Sequence, residues 1–308
     1  MPELPEVESL RRGLVKVLVG KTIKKVKVLA PKQVSGKGNK RFATSAKTRA
    51  FEKGLVGEKI LGIDRRAKNL IFHFSHGKVM LVHLKMTGQL VYEDNRQQST
   101  DNKQKVTKKV IGGHPMELSE SVLPHKHTRV IFELSKGALY YNDTRMFGYL
   151  LYYGSAEAFA EENHFEDIGL EPHDKNFTYD YFAENLKRQG GTLKKALMDQ
   201  GVVTGLGNIY ADEVVFEARV KPTRKPKSLK PQELKNLYKA INRIIPAAIK
   251  QGGSSVADYF LADGSRGNYA RYHKVYGKSG EGCPNCRRLF TTIKLNGRTT
   301  VYCPACQQ

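Results

Sequence analysis

Near its C-terminal end the chain carries two Cys-x2-Cys pairs, Cys283 with Cys286 and Cys303 with Cys306, sixteen residues apart. Nothing else in the sequence narrows the local fold as far. Four thiolates at this spacing complete a tetrahedral zinc shell and leave no coordination position open for chemistry, so one structural zinc ion per chain is expected. The intervening "RRLFTTIKLNGRTTVY" reads as two strands about Asn296-Gly297, the chemistry a two-residue hairpin turn selects. A redox dithiol is the alternative, but the thioredoxin-like context it needs is missing. Arg298 would project from the hairpin tip, where such a residue is more often solvated than bound to a phosphate.

The chain has 308 residues, enough for two domains with a core in each. Its 52 Lys and Arg stand against 30 Asp and Glu, a formal charge of +22, which favours a polyanionic partner and nucleic acid first. An anionic membrane would call for a basic amphipathic helix or a long apolar span, and the basic residues are instead spread along the chain. The first residues lack the basic start and apolar core of a signal peptide. A cytoplasmic protein is expected.

From Pro5 to Gly20, Val7, Leu10, Leu14 and Val17 fall at helical spacing. The period then changes. "TIKKVKV", "KILGID", "NLIFHF", "KVMLVHL", "TRVIFEL", "ALYYN" and "GYLLYY" are short apolar or alternating runs split by tight turns, which predicts a β-sandwich or barrel-like first domain. Residues 93–124 are polar and Lys-rich and read as a loop inserted between strands. Beyond about residue 155, "YDYFAENLKRQ", "TLKKALMDQ", "NIYADEVVFEA" and "PQELKNLYKAINRIIPAAIKQ" carry helical stripes. Three domains are expected: 1–165, 166–275 and 276–308.

Several segments are candidates for chemistry, each with a plainer reading beside it. In "MDQGVVTGLGNIYADE", the glycines and Asn208 either expose N–H groups to a phosphate or serve as helix exit and N-cap. Lys68, His83, Lys85 and Met86 sit at strand ends, where a Lys is usually solvated and a Met fills core. Arg145 and Phe147 in "NDTRMFGYL" fit a wedge entering a base stack, although a Phe is more often buried. Removal of Met1 would free the secondary amine of Pro2. An α-amino group near pKa 7.7–8.0 is roughly a tenth neutral at pH 7, against about four parts in ten thousand for a Lys near 10.4, so the terminus is the better nucleophile. Glu3 and Glu6 would then move protons or offset charge; in the plainer reading Glu6 and Glu8 only complement the helix dipole.

Together, "PELPEVE", "HLKMTG", "DTRMFG", "GLGNIYADE", "KVYG" and "CPNC…CPAC" resemble, in order and over nearly the whole chain, the bacterial formamidopyrimidine-DNA glycosylase (Fpg/MutM) family. The resemblance implies an α+β multidomain fold: an N-terminal β-sandwich with an N-terminal helix, a helical helix-two-turn-helix domain, and a C-terminal zinc-finger β-hairpin. It implies damaged double-stranded DNA as partner, a monomer, and no catalytic metal. By motif, Pro2 is similar to the Schiff-base nucleophile, Glu3 to the acid assisting sugar opening, and Glu6 to a supporting carboxylate. Lys68, Asn208 and Arg298 resemble the residues that pinch phosphates around the extruded nucleotide, with His83 a further candidate. Met86, Arg145 and Phe147 resemble the trio that fills the gap left by the flipped base, a set that implies oxidised purines as substrates. Thr144 and Met146 depart from the family's usual Pro and Arg. The segment 251–277 occupies the region expected to cover the flipped base.

Overall fold

The computed structural model describes residues 1–37, 41–94, 122–254 and 267–308, and the backbone of 108–113. Two compact units are distinguished. The first takes residues 1–2, 6–164 and 254–267; the second takes 3–5, 165–253 and 268–308.

In the first unit, α1 (Leu4–Leu18) buries Val7, Leu10, Leu14 and Leu18, and Gly20 leaves the helix at φ +87°. The strands are β1 (Ile23–Val28), β2 (Ile60–Arg66), β3 (Asn69–Phe74), β4 (Val79–His83), β5 (Gly88–Asp94), β6 (Lys108–Gly113), β7 (Thr128–Leu134), β8 (Ala138–Asp143) and β9 (Tyr149–Tyr153). They form two antiparallel sheets, ordered β1-β7-β8-β5-β6 and β2-β3-β4-β9. Val26, Phe132 and Tyr141 from one sheet share a core with Phe72, Val82 and Leu150 from the other, which makes the pair a β-sandwich. The burial along β7 alternates, as a strand with one covered face requires, while in β1 the alternation is broken by a register irregularity between Ile23 and Lys25.

Two elements depart from the expected pattern. α2 (Ser45–Leu55) reads as polar because only Phe51 and Leu55 are buried on it; Thr44 caps it by accepting the Lys47 N–H. The stretch 93–124 is in part a strand, not wholly a loop, since β6 pairs with β5 in register from Gln89–Gly113 to Asp94–Lys108. An edge strand needs a backbone partner on one side only, so polar composition hides it. Residues 95–107 and 114–121 of that stretch, and 255–266 of the segment expected to cover a flipped base, lie outside the described residues.

The second unit contains α4 (Tyr179–Arg188), α5 (Leu193–Leu197), α6 (Asn208–Glu217) and α7 (Pro231–Lys250), after the short α3 (Ala156–Glu161) that ends the first unit. Thr178 and Thr192 cap α4 and α5 through their hydroxyl oxygens. Between α5 and α6 the loop is fastened by Gln200, whose side-chain amide donates to the carbonyls of Met198 and Leu206 and accepts the Gly205 N–H. This is the helix-two-turn-helix. β10 (Thr291–Leu295) and β11 (Arg298–Tyr302) form the C-terminal hairpin, with Asn296 at φ 50° and Gly297 at φ 74°, the double positive φ that an Asn-Gly turn permits.

Candidate nucleic-acid interface and zinc centre

The four Cys side chains converge. Their sulfurs lie within 4.8 Å of one another, with Cys283–Cys306 at 3.9 Å and Cys286–Cys303 at 3.5 Å. Zn–S bonds of about 2.3 Å put the sulfurs of a regular tetrahedron about 3.8 Å apart, so the donor set fits one zinc ion. Phe216, Val275, Phe290 and Val301 pack with Cys283 and Cys303. Gln307, fully buried, accepts the Cys303 N–H and donates to the Val220 carbonyl, and this ties the last turn to the helical part of the same unit.

Above this centre α6 holds two acids on a helix buried nearly all round, from Tyr210 to Phe216. Asp212 forms an ion pair of 2.7 Å with Lys194 of α5, both almost without solvent exposure. Lys194 also donates to the Thr299 carbonyl and the Thr300 hydroxyl, on β11 directly after Arg298. Burial pushes the Asp212 carboxyl up to about 7 against the pull of Lys194, and burial lowers the Lys194 ammonium. Glu213 accepts the N–H groups of Lys274, Val275 and Tyr276, so it grips the "KVYG" segment. Tyr276 shares a side-chain hydrogen bond with Asn208. Sequence reasoning singled out neither Lys194, Asp212, Glu213 nor Tyr276; the signal available was a pair of adjacent acids inside an otherwise apolar helix.

The start of α6 is occupied. Its N-cap is Gly207, with Asn208 as the first helical residue, so the alternative that made Asn208 the N-cap is corrected. The capping group comes from far along the chain: the buried Glu3 carboxylate accepts the N–H of Gly207 at 2.6 Å and of Ile209 at 2.8 Å. The exposed N–H groups that suggested a phosphate cradle therefore hold a carboxylate of the same unit. Gly207 is required by proximity, since a Cβ there would meet the Glu3 carboxyl carbon at 2.6 Å. Leu4 donates its N–H to the Gly205 carbonyl, so the residues joined to Pro2 are fixed by backbone and side chain alike. Pro2 itself is half-buried. Arg298 is exposed at the hairpin tip.

In the first unit, Glu6 is buried and accepts the Ser254 N–H at 2.7 Å. Glu8 gathers Arg11, Arg12 and Arg65; burial alone would raise its carboxyl, but the three guanidinium groups hold it at about 2. Lys68 is buried in the β2–β3 turn, after Ala67 at φ 56°. His83, at the end of β4, accepts the Lys85 N–H on Nδ1, and burial, reinforced by the Lys85 and Lys68 charges, pushes it down to about 3. The ring is therefore neutral, with its proton on Nε2.

Met86, Arg145 and Phe147 are brought together. The Arg145 guanidinium donates to the Met86 sulfur at 3.4 Å and lies 4.6 Å from the centroid of the Phe147 ring, while Met86 and Phe147 remain 41% and 45% exposed. Their support is the fully buried Asp143, which accepts from Thr87, from the Arg145 N–H and from the Gly148 N–H. Met146 adopts φ 58°, and its carbonyl accepts from Gln33 and Arg41. Gly148 is necessary because a Cβ would lie 1.9 Å from the Tyr141 hydroxyl. Gln33 and Arg41 were not legible as site residues, since their shared partner Met146 stands over a hundred positions away; Asp143 lies within "DTRMFG", but its burial beneath the trio carries no sequence signal.

Comparison with known proteins agrees with this geometry. Residues 1–150 match the family model of the formamidopyrimidine-DNA glycosylase N-terminal domain, 168–259 that of its H2TH domain, and 280–308 that of the zinc finger found in FPG and IleRS. The formamidopyrimidine-DNA glycosylase of Pelotomaculum thermopropionicum is 35% identical over 100% of this chain and 99% of its own, and that of Carboxydothermus hydrogenoformans is 36% identical over the full length of both. The structure of Lactococcus lactis Fpg with DNA containing an abasic site superposes with a TM-score of 0.81 at 32% identity over 99% of each chain. A variant of the same protein with Fapy-dG-containing DNA gives 0.82 at 32% over the whole of both chains. The chain belongs to the formamidopyrimidine-DNA glycosylase family.

Proposed function

We propose that the protein is a bifunctional DNA glycosylase and AP lyase of base excision repair, taking oxidised purines, 8-oxoguanine and formamidopyrimidines, from duplex DNA. The observation that carries this reading is the anchoring of the N-terminus: Glu3 and Leu4 are both fastened to the 205–209 backbone, so the amine of Pro2 cannot wander with a loose tail. The family relation and the trio of Met86, Arg145 and Phe147 support it.

In this reading the target nucleotide is everted. The Pro2 nitrogen attacks C1′, the bond from C1′ to the base breaks, and the ring oxygen leaves as it gains a proton, with Glu3 as the carboxyl group beside the amine and Glu6 in support. The resulting iminium stays positive without a proton and acidifies the C2′ hydrogen. Loss of that hydrogen expels the 3′ phosphate, a further elimination expels the 5′ phosphate, and water hydrolyses the remaining iminium to release the sugar fragment as an aldehyde and free the Pro2 amine, which leaves a one-nucleotide gap. Lys68, Asn208 and Arg298 hold phosphates, with His83 contributing its Nε2–H as a neutral donor. Arg145 faces the orphan base while Met86 and Phe147 fill the gap. Zinc held by the four Cys residues stabilises the hairpin that carries Arg298; no metal enters the chemistry. The protein acts as a monomer in the cytoplasm, and no helix among the described residues is long and apolar enough to cross a membrane.

Borohydride added during turnover of an 8-oxoguanine duplex should trap a covalent protein–DNA adduct, and Pro2→Gly should abolish it. Undiminished excision by Pro2→Gly rejects the mechanism. Preference for thymine glycol over 8-oxoguanine opposite cytosine rejects the substrate assignment.

A further inference from the structure

β9 is an edge strand of its sheet, and its five residues span about 13 Å at about 3.3 Å per residue. It starts beside the trio. At that end the Lys85 ammonium and the Arg41 guanidinium each lie 5.8 Å from the centroid of the Tyr149 ring. At the other end Tyr152 and Tyr153 line a cavity of about 580 Å³ together with Lys37 and Lys47 of α2, and Glu162 is the one carboxylate among the described residues that line it. Lys37 and Lys47 are exposed, and Lys47 is oriented by a hydrogen bond to the Ser35 carbonyl. Arg41 is oriented by the carbonyls of Met146 and Phe147. None of these four cations has a salt bridge to a carboxylate among the described residues.

Two of these charges bear on Lys85: burial lowers its ammonium, and Arg41 and Lys37 lower it further. Like charges held together against repulsion imply an anion that spans them, and the row is too long for a single small one. Each strand of duplex DNA places a phosphate every 3.4 Å or so of helix axis, so an edge of this length is long enough to meet more than one of them.

We propose that the edge of β9 is a second track for the DNA backbone, on which Lys85 and Arg41 at the Tyr149 end and Lys37 and Lys47 at the Tyr153 end take phosphates of the duplex flanking the lesion. The track rests on the reading of the protein as a DNA enzyme but is independent of its chemistry. It adds affinity without adding base specificity, because phosphates carry no sequence information.

The test is the salt dependence of binding to an undamaged duplex, by fluorescence anisotropy, for wild type and Lys37→Gln/Lys47→Gln. Two lost phosphate contacts should reduce the slope of log K against log salt by roughly 1.8. The exposed pair on α7, Lys235→Gln/Lys239→Gln, serves as control and should keep the wild-type slope. An unchanged slope in the Lys37/Lys47 variant, or an equal fall in the control, overturns the track. A wild type that binds duplex with the expected slopes but is never trapped by borohydride would overturn the proposed chemistry and leave the track standing.

Discussion

Around α6 the charged side chains point inward, and they include three acids. Glu3, Asp212 and Glu213 are buried, and between them they hold the N-terminal residues, β11 and the "KVYG" segment. Around residues 143–148 the pattern reverses: one buried acid, Asp143, supports a surface on which Arg145, Met86 and Phe147 stand exposed. In a chain with a formal charge of +22, acids serve as internal fasteners and cations are left for a partner. The difference teaches that charge alone does not mark function here. What marks it is whether the charge already has its counterpart inside the molecule.

Removal of zinc should break the α6 region most. Binding energies of structural zinc in small fingers are about 10–16 kcal/mol and count as folding energy. Chelation should abolish hydrogen-exchange protection in 283–306 and strand cutting with it, while the sandwich strands β1 to β4 keep theirs. Loss of protection in both units would remove the contrast between them.

Next in size is the buried ion pair. Asp212→Leu leaves Lys194 charged in the interior without its counter-ion, at a cost of about 3–5 kcal/mol in urea unfolding. Adding Lys194→Met should return most of that stability, because two apolar groups of similar volume satisfy the same space. If the double variant still has lower DNA affinity at constant zinc content, the pair also holds Arg298 in place through Thr299 and Thr300.

How much of this could be read beforehand differs between the regions. The zinc ligands, the Asn296-Gly297 turn and the strand runs were legible because each rests on local chemistry: spacing, turn residues or alternation. The three site segments around Pro2, Met86 and Arg145 were legible as motifs. What supports them was not. Glu3 caps a helix two hundred residues away, Gln33 and Arg41 reach the Met146 carbonyl from a stretch without regular period, and a buried acid such as Asp212 looks in sequence like any surface acid. Likewise α2 was missed because it buries too little apolar surface to impose a period, and β6 because its stretch is polar in composition.

A smaller effect belongs to His83 beside the exposed trio. Its folded pKa, about 3, lies below the ordinary value of 6.5, so only the unfolded chain takes up a proton there as the pH falls below 6.5. Its contribution to stability is full above pH 6.5 and is lost progressively on the way down to about 3. His83→Asn keeps an acceptor for the Lys85 N–H and removes the titration. The difference in urea midpoint between wild type and variant should therefore shrink between pH 6.5 and 5, before most carboxylates titrate. A constant difference would mean that the ring takes up its proton in the folded state.

The smallest change in stability is expected where the change in function is greatest. Phe147→Ala removes a ring that is nearly half exposed and whose closest cationic neighbour, Arg145, retains the Met86 sulfur. Exposed truncations of this kind stay within about 0.5 kcal/mol. Excision should nonetheless fall, because an everted base leaves a gap that costs a few kcal/mol of stacking unless a side chain enters it. The informative measurement is excision from a matched duplex against one in which the lesion faces an abasic site, where less stacking is lost. Rescue on the second substrate assigns Phe147 to the wedge, whereas equal loss on both, with the urea midpoint unmoved, would make the aromatic ring a support for Arg145 and turn this corner into a fastener like those around α6.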